Sequence, residues 1–261
     1  MPKPPIQPVY LSPHLDDAAL SCGGLIHQQA CRGQRPQVIT LLAGLPDYAE
    51  LSPFAADMHL RWGQPVDPVS VRRCEDALAM AYLGAEYQHW DYLDCIYRRD
   101  PDGASFLYTS ESALFGAIQH EELALVRDLT ARLQSSFSPA MTRFYAPLFG
   151  KHVDHRIALQ AALALRRIGF EVEFYSDYPY AEDPDVVRHA LSEWTTLPLA
   201  RLVTLSVEDL KSRIGAILQY RSQLDVLFGS ESNVQARVTA YACSLGRGGT
   251  PKEKYWRGGE L

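Results

Sequence analysis

The stretch PVYLSPHLDDAALSCGGLI, residues 8–26, decides the fold that we expect for this chain. It opens with a short β-rich run that ends at Pro13, and from Asp16 onward small and apolar residues recur at helical spacing. The pattern predicts a strand, a loop and then a helix. The loop carries a histidine and two adjacent aspartates, so we expect His14, Asp16 and Asp17 at the carboxyl end of the strand.

Further apolar runs alternate with helical patterns along the chain. Three more strands are predicted, at 37–44, 144–149 and 171–176. Three helices are predicted between and around them, at 70–83, 120–137 and 154–168. Because strands that alternate with helices favour right-handed βαβ units, we predict one α/β domain over 1–261. Its expected architecture is Rossmann-like: a doubly wound, mainly parallel sheet with helices on both faces.

The last part of the chain is predicted less regularly. VTLSVEDLKSRIGAILQYRSQL, residues 203–224, is typical of a strand followed by one helix. Four apolar residues of that helix are expected to face inward: Leu210, Ile214, Ile217 and Leu224. The tail 246–261 is rich in glycine and charge, so we expect an exposed or partner-covered end.

Two segments interrupt the alternating order. Residues 45–69 are rich in proline and aromatic residues, and residues 92–118 contain RRDPDGASF. Both are long for connections in a compact domain, and long loops at strand ends often cover a substrate. We interpret them as lid-like insertions, with surface decoration as the alternative.

Composition excludes several classes of partner. A net charge of -6 gives no electrostatic case for binding nucleic acid. The first residues lack the apolar core of a signal peptide, and no stretch approaches the roughly 20 apolar residues of a membrane span. The 5 cysteines are never spaced as C-x-x-C, so we expect reduced thiols. We therefore expect a cytoplasmic protein with a small-molecule partner; homo-oligomerisation is left open.

A second polar cluster, GKHVDHR at 150–156, follows the strand predicted at 144–149. If that strand neighbours the first one, His152 and His155 face the loop that holds His14. Imidazole and carboxylate are ligands that Zn²⁺ accepts, and three of them leave a position open for catalysis. Two aspartates of one helix turn cannot easily reach the same ion, so one would bind it and the other would transfer protons. Taken singly, each cluster is also explained as a helix start.

Together, SPHLDDAALSCGG and HVDH resemble the H-x-D-D and H-x-D-H segments of the LmbE-like family of zinc-dependent N-deacetylases. That family includes the de-N-acetylases of N-acetylglucosaminyl-phosphatidylinositol, of mycothiol and bacillithiol precursors and of glycosylated antibiotics. The resemblance covers most of the chain and implies a zinc ion with three protein ligands: His14, Asp17 and His155. It makes Asp16 the general base. His152 would stabilise or protonate the tetrahedral intermediate, and Asp154 would orient a histidine.

Two further segments resemble parts of the same family that contact the substrate. RRCEDALAMAYLG, residues 72–84, resembles a helix that begins with an arginine, which makes Arg72 a substrate contact; a solvated arginine is the alternative. DYLDCIYR, residues 91–98, resembles a loop whose aspartate, here Asp94, can bind a sugar hydroxyl.

The chain also departs from the family pattern at two positions. Ala18 replaces the acidic residue that often extends the H-x-D-D run, which leaves the implied ligand set intact. Some members carry a tyrosine two residues before the first histidine of H-x-D-H, where this chain has Gly150. Either His152 and the zinc ion hold the oxyanion alone, or a tyrosine from 176–183 takes that place.

The resemblance implies a hydrolase that removes an N-acetyl or other small N-acyl group from an amino sugar or its conjugate, with an N-acetylated glycoside as the partner. One alternative is a zinc hydrolase of another bond, such as an ester. Another is a non-catalytic domain that binds a sugar or a nucleotide. SPHLDD at 12–17 weighs against the nucleotide, because its carboxylates would repel a pyrophosphate where a glycine-rich turn is needed.

Overall fold

The computed structural model describes residues 6–63, 66–149 and 151–260. Within these ranges the strands, in chain order, are β1 (Gln7–Ser12), β2 (Gln37–Thr40), β3 (Glu86–His89), β4 (Thr142–Pro147), β5 (Glu171–Tyr175), β6 (Leu199–Thr204) and β7 (Lys252–Arg257). The α-helices are α1 (Asp17–Cys31), α2 (Pro53–Arg61), α3 (Pro68–Leu83), α4 (Glu111–Leu114), α5 (Leu123–Ser136), α6 (Val153–Arg167), α7 (Pro184–Ser192), α8 (Val207–Ile217), α9 (Arg221–Phe228) and α10 (Glu231–Ser244). Short 3₁₀ turns occur at Cys95–Tyr97, His120–Glu122, Tyr180–Glu182 and Arg247–Gly249.

The strands form one sheet in the order β3-β2-β1-β4-β5-β7-β6. The first five strands of that order pair in parallel, and β7 runs antiparallel to both of its neighbours. This confirms the predicted α/β fold with a mainly parallel sheet.

The direction of winding reverses beside β1. From β1 the chain runs outward through β2 and β3, and it then returns to place β4 on the other side of β1. Ligands of open α/β sheets bind at such a reversal, in the crevice outside the carboxyl ends of the strands. The two polar motifs follow β1 and β4, so the predicted neighbourhood of their strands is confirmed.

Helices cover both faces of the sheet. Successive strand side chains point to opposite faces, and Val9 and Leu11 pack in a core with α5 and α6. Tyr10 lies between them and packs on the other face with α1, α3 and α8. Its ring stacks on that of Tyr145 in β4, with centroids 4.5 Å apart. The continuous apolar character of the strands follows from this burial on both sides.

Helix α1 approaches its neighbours closely because it contains Gly24. The Oε1 atom of Glu253 in β7 accepts a hydrogen bond from the backbone N–H of Gly24 at 2.8 Å. Its Oε2 atom accepts one from Leu25 at 3.0 Å, and Arg213 of α8 lies 3.6 Å from Oε1. A Cβ on Gly24 would lie 2.6 Å from a methyl carbon of Leu205. The glycine therefore lets α1 dock on the C-terminal strand.

Most predicted elements are present with shifted ends. The strands predicted at 37–44, 144–149 and 171–176 are β2, β4 and β5, and β2 ends earlier, at Thr40. The helices predicted at 70–83, 120–137 and 154–168 are α3, α5 and α6. The elements β3, α7 and α10 are absent from the prediction; β3 is an edge strand of largely exposed residues, which carries no apolar pattern.

The prediction for the C-terminal tail is wrong. Instead of an exposed end, residues 252–257 form β7, which lies between β5 and β6. Tyr255 and Trp256 are buried, and the indole N–H of Trp256 donates to Ser176 Oγ at 2.9 Å. The charged residues that suggested exposure are in part neutralised inside the protein, as the Arg213–Glu253 pair illustrates.

The single helix predicted after residue 203 is also wrong, because α8 ends at Ile217 and α9 begins at Arg221. Tyr220, between them, is buried and donates a hydrogen bond to Asp76 of α3 at 2.6 Å. This bond turns the chain towards α3. Ile217 and Leu224 are buried as expected.

The predicted insertions have structure of their own. Segment 45–69 contains α2, and segment 92–118 contains the turn Cys95–Tyr97 and α4. The two segments touch, since His59 Nε2 of α2 lies 2.7 Å from the hydroxyl of Tyr97. In the described ranges, no helix combines the length and the apolar character needed to cross a bilayer.

Replacing Gly24 by alanine tests the docking of α1. Helix propensity alone would stabilise the variant by roughly 0.5–1 kcal/mol. The new Cβ would instead crowd Leu205 and Glu253, so we expect a net loss in the free energy of unfolding of about 1–3 kcal/mol. Urea denaturation measures it, and an unchanged slope with a higher midpoint would show that the contact is not tight.

Candidate metal centre and active site

The loop between β1 and α1 is fixed by its own hydrogen bonds. The hydroxyl of Ser12 donates to the carbonyl of His14 at 2.7 Å and accepts from the N–H of Ala18 at 3.0 Å. The backbone N–H of His14 donates to Asp17 Oδ2 at 2.8 Å. Asp16, the N-cap residue of α1, has φ 146° and ψ -31°, which costs a non-glycine residue on the order of 1–3 kcal/mol. Strain is thus concentrated at one of the two adjacent aspartates.

His14, Asp17 and His155 come together at the crevice between β1 and β4. One potential ligand atom from each lies within 4.8 Å of the other two. Asp17 Oδ1 is 3.3 Å from His155 Nε2, and Asp17 Oδ2 is 3.4 Å from His14 Nδ1. Two ligands of one tetrahedral zinc ion are separated by roughly 3.3 Å. Two imidazoles and a carboxylate at these distances fit a zinc ion with three protein ligands.

Each of these histidines has a carboxylate beside its other ring nitrogen. His14 Nε2 lies 2.9 Å from Asp154 Oδ2, and His155 Nδ1 lies 2.6 Å from Asp177 Oδ1. Such a carboxylate holds the proton on the outer nitrogen and leaves the inner one free to bind a metal. Asp154 is in turn held by Arg98, whose Nη2 donates to Oδ1 at 2.6 Å. Asp154 therefore contacts a histidine of the other motif, His14.

Asp177 is a residue that the sequence reasoning missed. It is buried, and its second oxygen, Oδ2, accepts hydrogen bonds from the backbone N–H groups of Leu148 and Phe149 at 2.9 and 2.7 Å. Its position two residues after β5, at the same edge of the sheet as the two motifs, is the signal that could have revealed it.

The electrostatics of this cluster favour positive charge at its centre. Burial opposes ionisation of Asp17, but His155 and His14 hold the pKa of this carboxyl well below its usual range. Burial likewise opposes the charged form of His155, yet Asp17 and Asp177 raise its pKa to about 10. Either a protonated histidine or a bound divalent cation can supply the positive charge that these carboxylates stabilise.

Asp16 lies in a different environment from Asp17. Burial raises the pKa of Asp16 to about 7, against the opposing effect of Arg72. Arg72, on α3, donates to the carbonyl of Leu15 at 3.0 Å and lies 3.4 Å from Asp16 Oδ2. Arg72 is buried, so the alternative of a solvated arginine is wrong. A carboxyl that titrates near neutral pH is suited to proton transfer.

His152 is the N-cap residue of α6, and its Nδ1 accepts a hydrogen bond from the N–H of Asp154 at 3.2 Å. This bond assigns the proton of the neutral ring to Nε2. Burial and the neighbouring His14 lower the pKa of His152 to about 4, which keeps the ring neutral at pH 7. His152 therefore offers an N–H donor rather than a positive charge.

The cluster opens into a cavity of about 420 Å³ that both insertions line. Asp94 lies in its wall, with Oδ2 at 3.6 Å from His14 Nε2. Arg61 of α2 and Glu111 of α4 form an ion pair at the same cavity. Several apolar and aromatic residues complete the wall: Met58, Trp62, Ile96, Leu114, Phe115 and Leu227.

The position expected for the oxyanion tyrosine, Gly150, lies outside the described residues. In segment 176–183, Tyr180 lines the cavity and its ring centroid is 5.8 Å from that of His155. Tyr178 is buried against Phe228 instead. Tyr180 is thus the tyrosine of this segment that borders the candidate site.

Known proteins resemble the chain over nearly its whole length. The 2'-N-acetylparomamine deacetylase of Niallia circulans is 30% identical over 244 residues, which are 87% of this chain and 84% of that protein. The zinc-inhibited form of the teicoplanin deacetylase Orf2 has 29% identity and a TM-score of 0.80 over 96% of this chain and 97% of its own. A deacetylase–teicoplanin complex from teicoplanin biosynthesis has 28% identity and a TM-score of 0.77, with the same coverage of 96% and 97%.

The sequence profile of the PIG-L family, described as GlcNAc-PI de-N-acetylase, matches residues 9–166, more than half of the chain. The match spans both histidine motifs and the crevice between β1 and β4. The chain therefore belongs to the PIG-L family, and its resemblance to the LmbE-like deacetylases is confirmed.

Proposed function

We propose that this protein is a zinc-dependent N-deacetylase that acts on an amino sugar or an amino-sugar conjugate. The observation that carries the proposal is the group of His14, Asp17 and His155 beside Asp16, in the crevice between β1 and β4. Relatives named as deacetylases of N-acetylparomamine and of teicoplanin support a small-molecule glycoside as the substrate.

Three residues would hold the ion: His14 and His155, through the nitrogens that face Asp17, and Asp17 itself. Asp154 and Asp177 would accept the proton on the outer nitrogen of each ring, so that the ion takes the place of a proton on the inner nitrogen. When bound, zinc supplies a Lewis acid for the amide carbonyl and lowers the pKa of the attacking water.

Asp16 would transfer the proton, and His152 would stabilise the negative charge that develops on the substrate. Asp16 lies in the cavity next to the ligand Asp17 in sequence without being a ligand itself, and its raised pKa suits it to take the proton of the attacking water and return it to the leaving amine. His152 donates from Nε2–H to the oxygen that becomes negative as the amide carbon turns tetrahedral.

The sugar would lie between Arg72 and Asp94, both in the cavity wall. Arg72 has a second task, since its contact with Asp16 holds the proposed base in place. We further propose that residues 1–261 act as one domain, in which segments 45–69 and 92–118 are lids that select the aglycone. Both line the cavity and are joined by the Arg61–Glu111 pair.

Metal analysis and a substrate comparison test the function as a whole. We expect about one tightly bound zinc per chain. Release of a primary amine from N-acetylglucosamine conjugates should depend on that zinc and exceed the hydrolysis of simple esters. Activity in a metal-free preparation would overturn the zinc mechanism, and a preference for esters would overturn the deacetylase.

Changing each adjacent aspartate to asparagine should produce two different defects. Asp17→Asn loses an anionic ligand, so it should lose zinc, and excess zinc should restore part of the activity. Asp16→Asn should keep its zinc while kcat falls by roughly 10²- to 10⁴-fold, the effect of a missing general base. Zinc content and kcat of both variants decide the assignment, and the opposite pattern would exchange the two roles.

Asp177→Asn should weaken zinc binding although the residue does not touch the ion. One amide oxygen cannot accept both the His155 proton and the backbone N–H groups of Leu148 and Phe149, as the two carboxylate oxygens do. We expect zinc affinity to fall by roughly 10- to 100-fold.

Competition with a chelator measures this affinity. Asp100→Asn is the matched control, because Asp100 also accepts from two backbone N–H groups, those of Ala104 and Ser105 in an exposed loop. Equal zinc affinity in both variants would remove Asp177 from the site.

Asp94 and Arg72 should affect the kinetics differently. Asp94→Asn should raise KM by roughly tenfold with kcat nearly unchanged, the loss expected for one hydrogen bond of a charged group to bound substrate. Arg72→Ala should also lower kcat, because Asp16 loses its partner. Steady-state kinetics on the true substrate measure both. Wild-type kinetics in Arg72→Ala would exclude that residue from either role.

A further inference from the structure

A line of buried polar side chains runs from the start of α5 to His14. Glu122, the N-cap residue of α5, accepts hydrogen bonds from the hydroxyl of Tyr108 and from Nε of Arg98. Nη2 of Arg98 donates to Asp154 Oδ1 at 2.6 Å, and Asp154 Oδ2 lies 2.9 Å from His14 Nε2. The line therefore ends on one of the three metal-ligand candidates.

The outer part of this line is buried but lies away from the substrate. Tyr108 is 1% exposed and Glu122 is 3% exposed. Within the described ranges, the residues that line the cavity of the candidate site do not include either of them. Buried charges interact strongly because little water screens them. A change of charge at Glu122 should therefore reach Asp154 through the arginine between them.

Arg98 uses each of its three guanidinium nitrogens for a different partner. Nε donates to Glu122, Nη2 donates to Asp154, and Nη1 donates to the carbonyl of Leu93 at 3.0 Å. Because the guanidinium is planar and rigid, the contacts with Glu122 and Leu93 fix the direction in which Nη2 points. That direction in turn holds Oδ1 of Asp154 on the arginine and leaves Oδ2 for His14.

We propose that Glu122 is a positioning residue of the candidate zinc site, which acts on the ion through Arg98 and Asp154. Its carboxylate shares the guanidinium, so Asp154 keeps enough negative charge to accept the outer ring proton of His14. Without the charge of Glu122, Asp154 is the one carboxylate left to Arg98 among the described residues. Asp154 would then bind the arginine more strongly and the imidazole less, and His14 would become a weaker ligand.

This inference rests on the zinc site of the proposed function and concerns how tightly the ion is held. A purely structural role of Glu122 would give a different result. Loss of the carboxylate would then lower the free energy of unfolding, while the folded protein would bind zinc as the wild type does. Zinc affinity therefore separates the two roles.

Competition with a chelator measures this affinity in the metal-loaded protein. Glu122→Gln keeps the size of the side chain and removes its charge. We expect zinc affinity to fall by roughly tenfold, the lower end of the effect of residues that hold a metal ligand from outside. Glu173→Gln is the matched control, because Glu173 is 1% exposed and binds Arg201 and Arg257 at 2.6 Å each, on β5. It should keep the wild-type affinity.

A double-mutant cycle tests the route of the effect. Asp154→Asn removes the carboxylate through which Glu122 would act. In that background, adding Glu122→Gln should not weaken zinc binding further, since residues that act through one another are not additive. An equal additional loss would show that Glu122 acts by another route, and it would overturn the proposal.

Steady-state kinetics separate this effect from a contact with substrate. At saturating zinc, Glu122→Gln should recover nearly the wild-type kcat and KM, because the residue touches neither the substrate nor the reacting atoms. A KM that stays raised when the zinc site is full would assign Glu122 to substrate binding and overturn the positioning role.

Urea denaturation of the metal-free proteins shows whether each variant folds. If Glu122→Gln does not, Glu122→Asp and Glu173→Asp repeat the comparison, because the shorter side chain cannot reach both Arg98 and Tyr108. Unchanged zinc affinity in a folded Glu122 variant overturns the proposal, and a wild-type protein that binds no zinc overturns it together with the proposed function. If affinity falls as expected but no N-acetylated amino sugar is hydrolysed, the positioning role stands and the proposed function is overturned.

Discussion

The parallel pairing of β1 with β4 is the contact on which the candidate site depends. The register aligns Val9 with Phe144 and Tyr10 with Tyr145, and the stacked tyrosine rings make this register specific on one face. A slip of one residue would turn every side chain of one strand to the opposite face. Because the winding reverses at this pair, the loops after both strands open into one crevice. Motifs 138 residues apart, counted from His14 to His152, thereby become neighbours.

Around this crevice the fold buries several carboxylates, and each has a specific partner. Asp154 binds Arg98, Asp177 accepts two backbone N–H groups, and Asp16 lies beside Arg72. A buried charge without such a partner would cost several kcal/mol, on the order of the desolvation penalty for a single ion. Asp17 differs, since among the described residues its oxygens contact the imidazoles of His14 and His155 and one backbone N–H. Asp17, whose negative charge has no arginine beside it and a single backbone N–H among the described contacts, therefore lies at the centre of the three metal-ligand candidates.

What the sequence predicts, and what it does not, follows from how far each interaction reaches along the chain. The strand–loop–helix units around His14 and His155 have local signals, an apolar run followed by helical spacing, and these elements are present as predicted. The sequence predicts an exposed or partner-covered tail where β7 forms, because the buried charge of Glu253 is compensated by backbone groups of Gly24 and Leu25, more than two hundred residues away. Asp177 carries no local motif either. Its significance appears only when the strand order brings β5 beside β4 and places Asp177 next to His155.

The insertions differ from the sheet in how they are held. The Arg61–Glu111 pair joins them at the surface, where an exposed ion pair contributes only about 0–1 kcal/mol. The contact of His59 with the hydroxyl of Tyr97 is buried, and burial lowers the pKa of His59 and keeps its ring neutral, so this contact is a hydrogen bond of uncharged groups in the interior. His59 and Arg61 both lie in the last turn of α2, so this turn is held firmly on its buried side and weakly on its exposed side. The exposed side of this turn forms part of the cavity wall, and it is therefore held less firmly than the buried residues at the sheet edge.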